Sequence, residues 1–484
     1  MTTCKVTILD EVNVKISNLD LDTRKALVKK FKYEDPSARY LPSVRLGRWD
    51  GSVSFFGLGG NTYLGMLPEV LEFLEQRNYN IELEDLRKPF EFNFNKISPD
   101  FWGEKCWPTG HRFAGHPIRL RDDQVEAINK FLENPQSIQC LATGFGKTVT
   151  TATLVKLCEP YGKTVVVVPN KSLVEQTEED FINCGLDVGV YYGDRKELFR
   201  THTICTWQSL NALEKKHQDD PSSPGLADFF NGVNTILIDE VHQARAAVLQ
   251  QLLTKHCAHA PIRWGFTGTI PKDDISFQRI RTSIGEVVHE VTAHELQQQG
   301  VLSSCNVNII QTAEWKEFKG YAEELKYLVS NKERIDYLSS LIKSISETGN
   351  TLVLVDRIES GRIITDNLPE SVFISGNVKT KDRKEEYDVI STSDNKVIVA
   401  TYGVAAVGIN LPRIFNLVLL EPGKSFVRVI QSIGRGIRKA DDKDHVEIYD
   451  ICASTKYSKR HLSERKRYYK DAKYPFTVEK VKYQ

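Results

Sequence analysis

The sequence predicts an α/β protein: two tandem parallel-sheet domains, with a small α+β domain before them and a short basic helical tail after them. Three observations predict it. From Leu120 onward, short β-branched runs alternate with amphipathic stretches: SIQCLA, TVVVVP, TICT, TILIDE, RWGFTGT. A second such series begins near residue 350: TLVLVD, SVFISG, KVIVAT, NLVLLE, HVEIYD. Apolar runs of this length suit parallel strands covered by helices on both faces. Third, 484 residues at about 150 per domain give roughly three domains.

The elements follow in chain order. Residues 1–90 read as a small α+β domain. CKVTILDEVNVKIS alternates like strands, and LDLDTRKALVKKFKY carries helical periodicity. RWDGSVSFFG and GNTYLGML are turn-flanked strands, and PEVLEFLEQRNY is a second helix. Residues 91–118 are rich in aromatics, Pro and Gly without periodicity, which predicts an irregular connection. Residues 119–300 and 301–452 hold the two α/β series. HQDDPSSPG, at 217–225, reads as an exposed loop between elements. Residues 453–484 read as a separate basic, aromatic tail.

Composition narrows the class. Lys+Arg and Asp+Glu both number 64, so the formal net charge is zero, and 40% of residues are hydrophobic. A disordered chain would not carry 18 Tyr, 22 Phe and 6 Trp. No apolar run approaches the roughly 18 residues of a membrane span, so no membrane partner is expected. The opening MTTCKVTILDEVNVKIS holds acids where a signal peptide needs an apolar core. Nine scattered cysteines form no CxxC pair, which suits a reducing cytoplasm. Neutrality alone argues against a polyanion partner, but charge can be segregated along a neutral chain.

The strongest local signal is Leu141-Ala142-Thr143-Gly144-Phe145-Gly146-Lys147-Thr148, between an apolar strand and a helix. Glycines let a backbone wrap closely around phosphate oxygens, and a helix N-terminus adds unpaired N–H groups. Lys147 is placed for the β- and γ-phosphates and Thr148 for Mg²⁺, so ATP and Mg²⁺ are the expected cofactors. Leu141 departs from the generic motif, which begins with glycine. Asp239-Glu240-Val241-His242 ends the apolar strand Ile236-Leu237-Ile238. A carboxylate there, beside a phosphate loop, suits the second metal ligand (Asp239), and Glu240 suits a base for the attacking water. Gln431-Ser432-Ile433-Gly434-Arg435-Gly436-Ile437-Arg438 lies in the second series. Arg435 and Arg438 share one face of a helical turn and suit charge stabilisation on a transferring phosphoryl group. Taken singly, the second and third motifs also fit an acidic turn and a solvated basic helix.

Together, these motifs resemble superfamily 2 helicases of the DExH group, over about residues 120–450. The resemblance implies two RecA-like motor domains. It makes Arg121 and Gln124, in Leu120-Arg121-Asp122-Asp123-Gln124, nucleotide contacts, with Thr143 to Thr148 around the phosphates. It gives Lys147, Asp239, Glu240, Gln431, Arg435 and Arg438 catalytic roles. His242 and Thr267-Gly268-Thr269 take the part that couples hydrolysis to movement. Pro169, Asn170, Lys171 and Gln176, then Thr206, Trp207 and Gln208, then Thr401, resemble the family's strand-tracking motifs. Gly408 and Asn410 fall in the nucleotide-contacting motif V, Asn410 where many relatives carry an Asp.

The flanks are similar to phage UvsW-type helicases. Arg45-Leu46-Gly47-Arg48-Trp49-Asp50-Gly51 resembles a signature of their N-terminal domain, which makes Trp49 a DNA contact; a core or turn aromatic is the equal alternative. The last 32 residues hold ten Lys or Arg against three acids, interleaved with tyrosines. Arg465, Arg467 and Tyr468 are the contacts expected there, by phosphate neutralisation and base stacking; a plain solvated tail is the alternative. The resemblance implies a monomeric ATP-dependent DNA helicase acting on branched or single-stranded DNA, RNA–DNA hybrids included, in recombination and repair. It also implies a host cytoplasm, if the chain is phage-encoded. A DExH RNA helicase and an ATP-driven clamp without strand separation remain open. Pro99-Asp100 and Glu104-Lys105 are spaced too tightly for a metal-dependent nuclease and read as a turn.

Overall fold

The computed structural model describes residues 2–35, 38–109, 111, 113–198, 200–242, 247–271, 273–375, 393–404, 413–423, 433–434, 440 and 442–483. They fall into two compact units, residues 1–141 with 146–290, and residues 142–145 with 291–484.

The first unit contains two principal sheets. The smaller runs Asn61–Tyr63, Asn13–Ser17, Thr2–Ile8, Tyr79–Asp85. Alternation in Thr2–Ile8 turns Cys4, Val6 and Ile8 inward, where Val14 and Ile16 of the next strand join them. Helices Leu21–Lys30 and Leu67–Gln76 cover this face with Leu27, Val70 and Leu74. Asp20 caps the first of these helices by accepting from Thr23 N at 2.8 Å. Tyr79–Asp85, which pairs in parallel with Thr2–Ile8, is a strand the sequence reading passed over. Its exposed edge carries no continuous apolar run to reveal it.

This sheet is joined to the larger one. Ile275, on helix Asp274–Ser283, completes its hydrophobic core. The Arg281 guanidinium meets Glu69 at 2.6 Å, Asn13 Nδ2 donates to Thr254 O at 2.9 Å, and Gln136 Nε2 donates to Glu11 at 2.7 Å. Between the sheets, residues 91–109 hold no helix or strand, as the absent periodicity predicts. They are fixed by rings instead: Phe90, Phe92 and Phe94 gather around Tyr161, and Phe94 reaches Trp264.

The larger sheet has eight strands, in the order Arg195–Lys196, Val188–Tyr192, His202–Thr206, Lys163–Val168, Val233–Ile238, Ile262–Thr267, Gln136–Leu141, Glu286–Val291. The five pairings from Val188–Tyr192 across to Gln136–Leu141 are parallel. Val165 to Val168 are buried, which is what a central parallel strand between two helical layers requires.

Among the described residues, the second unit has a seven-stranded sheet, all its pairings parallel, in the order Val372–Ile374, Val397–Thr401, Thr351–Val355, Asn416–Leu420, His445–Ala453, Ser304–Thr312, Phe476–Val481. The last strand corrects the expectation of a separate tail. Residues 456–471 form a helix, and Phe476–Val481 then adds to the sheet edge in register Val307↔Phe476. Among the described residues no helix is long and apolar enough to cross a membrane.

Candidate active site

A parallel sheet delivers its loops to the carboxyl ends of its strands, where α/β ligand sites form. Gln136–Leu141 ends there and the chain turns into helix Lys147–Cys158. The turn needs left-handed backbone at Gly144 (φ +93°) and Gly146 (φ +89°), which glycine adopts at little cost. Gly146 also has no room for a side chain, since a Cβ would stand 2.5 Å from Gln124 Nε2. Gln124 is buried, and its Oε1 accepts from Arg121 N at 3.1 Å. Arg121 is itself held by Asp123 through two contacts of 2.9 Å. The segment expected to read the base is therefore packed against the phosphate loop. Phe145 is fully buried and anchors the turn, while Thr143 and Thr148 remain half-buried.

Val233–Ile238 ends two strands away and presents the acidic pair. Lys147 Nζ lies 3.6 Å from Glu240 Oε1 and has no hydrogen-bond partner among the described residues. Burial alone would pull this ammonium down; Glu240 and Asp239 outweigh it and hold the group above the ordinary lysine value. Burial and the neighbouring Glu240 charge push the Asp239 carboxyl up, against the pull of Lys147. Glu240 occupies the left-handed region at φ +54°, at about 1–3 kcal/mol for a residue other than glycine.

From Glu240 a line of contacts runs on through the first unit. Glu240 Oε2 lies 3.3 Å from His242 Nδ1, and that nitrogen is 3.2 Å from Thr267 Oγ1. Thr267 Oγ1 donates to Thr269 O at 2.7 Å and accepts from Thr269 N at 3.1 Å. Thr267 and Thr269 are buried, and Gly268 between them is half-buried. The structure thus brings together Lys147, Asp239, Glu240, His242, Thr267 and Thr269, with Arg121, Gln124 and Gly146 alongside the loop. Gln431, Arg435, Arg438, Gly408 and Asn410 lie outside the described residues.

The residues expected to track DNA sort into two groups. Pro169, Asn170 and Lys171 follow strand Lys163–Val168; Thr206 ends its neighbour, in register with Val168, and Trp207 and Gln208 follow it. Gln208 Nε2 donates to Pro169 O at 3.4 Å, which ties the two segments together. Lys171, Gln176 and Gln208 are exposed. Asn170 and Thr206 cap their helices, and Trp207 packs against the main core. Thr401 ends its own strand in the second unit, opposite Val355. Asp356 and the exposed Arg357 come directly after Val355 at that same strand end. The sequence reading passed over them, though a polar pair closing the apolar run TLVLV was a usable signal. Trp49 is half-buried, its indole N–H donating to Ser52 O at 2.8 Å.

Arg465 and Tyr468 are corrected. Arg465 is 1% exposed, and its guanidinium grips Asp450 through two bonds of 2.8 Å. A third bond, of 2.7 Å, goes to Gly423 O. Tyr468 is also buried. Both face inward because their spacing on helix Lys456–Asp471 puts them on its packed side. Arg467 does face solvent, paired with Glu464 at 2.7 Å.

Comparison with known proteins gives the following. Residues 117–272 match the family described as Type III restriction enzyme, res subunit, and residues 333–440 the Helicase conserved C-terminal domain. The chain is 23% identical over 470 residues to the ATP-dependent DNA helicase uvsW of Enterobacteria phage T4, covering 90% of this chain and 88% of that one. It is 23% identical over 422 residues to the general transcription and DNA repair factor IIH helicase/translocase subunit XPB of Schizosaccharomyces pombe, covering 81% of this chain and 50% of that one. Among solved structures, the DNA-bound ATP-dependent Type ISP restriction-modification enzyme LlaBIII shares the fold. Its TM-score is 0.56 at 14% identity, over 86% of this chain and 34% of that one.

Proposed function

We propose a branched-DNA activity on one premise: the chain belongs to the superfamily 2 helicases and is an ATP-dependent DNA helicase. The proposed substrates are forks, four-way junctions, single strands and the RNA–DNA hybrids of R-loops, engaged by a monomer. Lys147 and the backbone N–H groups of the loop hold the phosphates, and Gln124 and Arg121 the base. Thr148 and Asp239 are the residues suited to Mg²⁺, which when bound neutralises charge on the β- and γ-phosphates. An ammonium without a hydrogen-bond partner fits a phosphate, and a buried carboxylate whose charge is disfavoured by burial and by Glu240 fits a hard cation. Glu240 orients the attacking water, and the cations Arg435 and Arg438, with the neutral amide of Gln431, complete the proposed catalytic set.

The observation that carries the reading is the line Lys147–Glu240–His242–Thr267–Thr269. A change of charge at the phosphate end alters what Glu240 offers His242, and therefore what His242 offers the turn after Ile262–Thr267. Hydrolysis and movement share one line of contacts, charge–charge from Lys147 to His242 and hydrogen-bonded from His242 to Thr269. Replacing Thr267 by Val removes the shared hydroxyl while keeping its shape. DNA-stimulated ATP turnover is expected to stay within about threefold, while strand displacement falls about tenfold or more, the scale of one lost hydrogen bond. A proportional fall in both rates would refute coupling along this line.

The substrate is tested by measuring ATP turnover and strand displacement on single strands, forks, four-way junctions, R-loops and RNA duplexes. Displacement on forks, junctions and R-loops supports the proposal. Turnover without displacement would select the clamp, and preferential stimulation by RNA duplexes the RNA helicase.

A further inference from the structure

Helix Lys456–Asp471 has two chemically distinct sides. Ser458, His461, Leu462, Arg465, Tyr468 and Tyr469 are buried. Lys456, Lys459, Arg460, Arg467 and Lys470 are exposed, and Lys466 is half-exposed. At 3.6 residues per turn these six cations fall within an arc of about 120°, in a stripe roughly 21 Å long. The helix's two acids, Glu464 and Asp471, both lie on one flank of that arc. The stripe is carried by a stiff support. Arg465 ties the helix to Asp450 and Gly423 O, Ser458 Oγ donates to Glu421 at 2.9 Å, and Thr455 Oγ1 donates to Glu324 at 2.6 Å.

The helix's rings are absent from the stripe. Tyr468 and Tyr469 are buried, and half-buried Tyr457 sends its hydroxyl to Lys319 O with its ring near Tyr321. Single-strand binding sites pair cations with exposed rings on which bases stack. A duplex hides its bases and offers phosphates alone, which a row of cations on a rigid helix can follow without ordering long loops. We propose that the outer face of helix Lys456–Asp471 is a sequence-independent docking surface for the phosphate backbone of double-stranded DNA. It deepens the branched-substrate reading above and rests on it, since a branched substrate supplies a duplex arm beside the tracked strand.

The test uses the full chain without nucleotide, a labelled blunt duplex and one of its strands alone. The variant replaces Lys456, Lys459, Arg460 and Lys470 together by Gln. Duplex affinity is expected to fall at least about tenfold, and the slope of log affinity against log salt to flatten by about 3–4, at about 0.9 per lost phosphate contact. Single-strand affinity is expected to change much less. An unchanged duplex slope overturns the proposal, and so does an equal loss on both DNAs. A second set, Lys459→Glu with Lys470→Glu, should exceed the effect of the same two positions changed to Gln; equal effects also overturn it. The motor itself is tested by DNA-stimulated ATP turnover, so its failure shows separately from failure of nucleotide-free duplex binding.

Discussion

Replacing Lys147 by Ala is expected to lower ATP turnover about 10²–10³-fold, the usual scale for removing one preorganised charge from a reacting phosphoryl group. Two effects combine. The phosphates lose their ammonium, and Asp239 and Glu240 lose the cation that offsets their mutual repulsion. Lys147→Arg is not expected to rescue turnover, because the side chain is only 16% exposed and a planar guanidinium fork does not reproduce a compact ammonium. Steady-state ATP hydrolysis with and without DNA measures both variants. Near-normal DNA-stimulated turnover in Lys147→Ala would remove the loop from the mechanism.

The second large effect concerns stability. Replacing Arg465 by Ala leaves the buried Asp450 carboxylate without its bidentate partner and strips Gly423 O of its donor. Removing one partner of a buried pair costs about 3–5 kcal/mol. The thermal midpoint of the second unit is then expected to drop on the order of 10 °C. The nearby Tyr469 hydroxyl, which donates to Asp450 at 2.7 Å, cannot replace a charge. Differential scanning calorimetry reads the midpoint, and the salt slope of duplex binding reads any DNA role. A normal midpoint with a flattened slope would return Arg465 to the DNA-contacting set.

The contrast at residue 465 shows where the sequence was legible. The parallel strands were visible because a strand covered on both faces needs a continuous apolar run, as Val165–Val168 and Leu352–Val355 are. The phosphate loop and acidic pair were visible because their chemistry is packed into consecutive residues. The direction a basic residue faces was not. A count of charges in the last 32 residues treats Arg465 and Arg467 alike, although a helix places them on opposite sides. Arg465 faces inward because Asp450 waits on a strand fifteen residues earlier, and such pairing depends on tertiary neighbours. The strand Tyr79–Asp85 escaped notice for a related reason: its partner, Thr2–Ile8, is more than seventy residues away.

The joint between the N-terminal sheet and its neighbour has a mechanical consequence. Ile275 sits in one hydrophobic core while its helix belongs to the other layer, and Arg281 and Gln136 hold acids across the seam. A hinge needs a boundary with few such ties. This boundary therefore acts as a weld between the small sheet and the body that carries Lys147. The leading sheet is a fixed outrigger on the body that carries Lys147, and the two move as one piece.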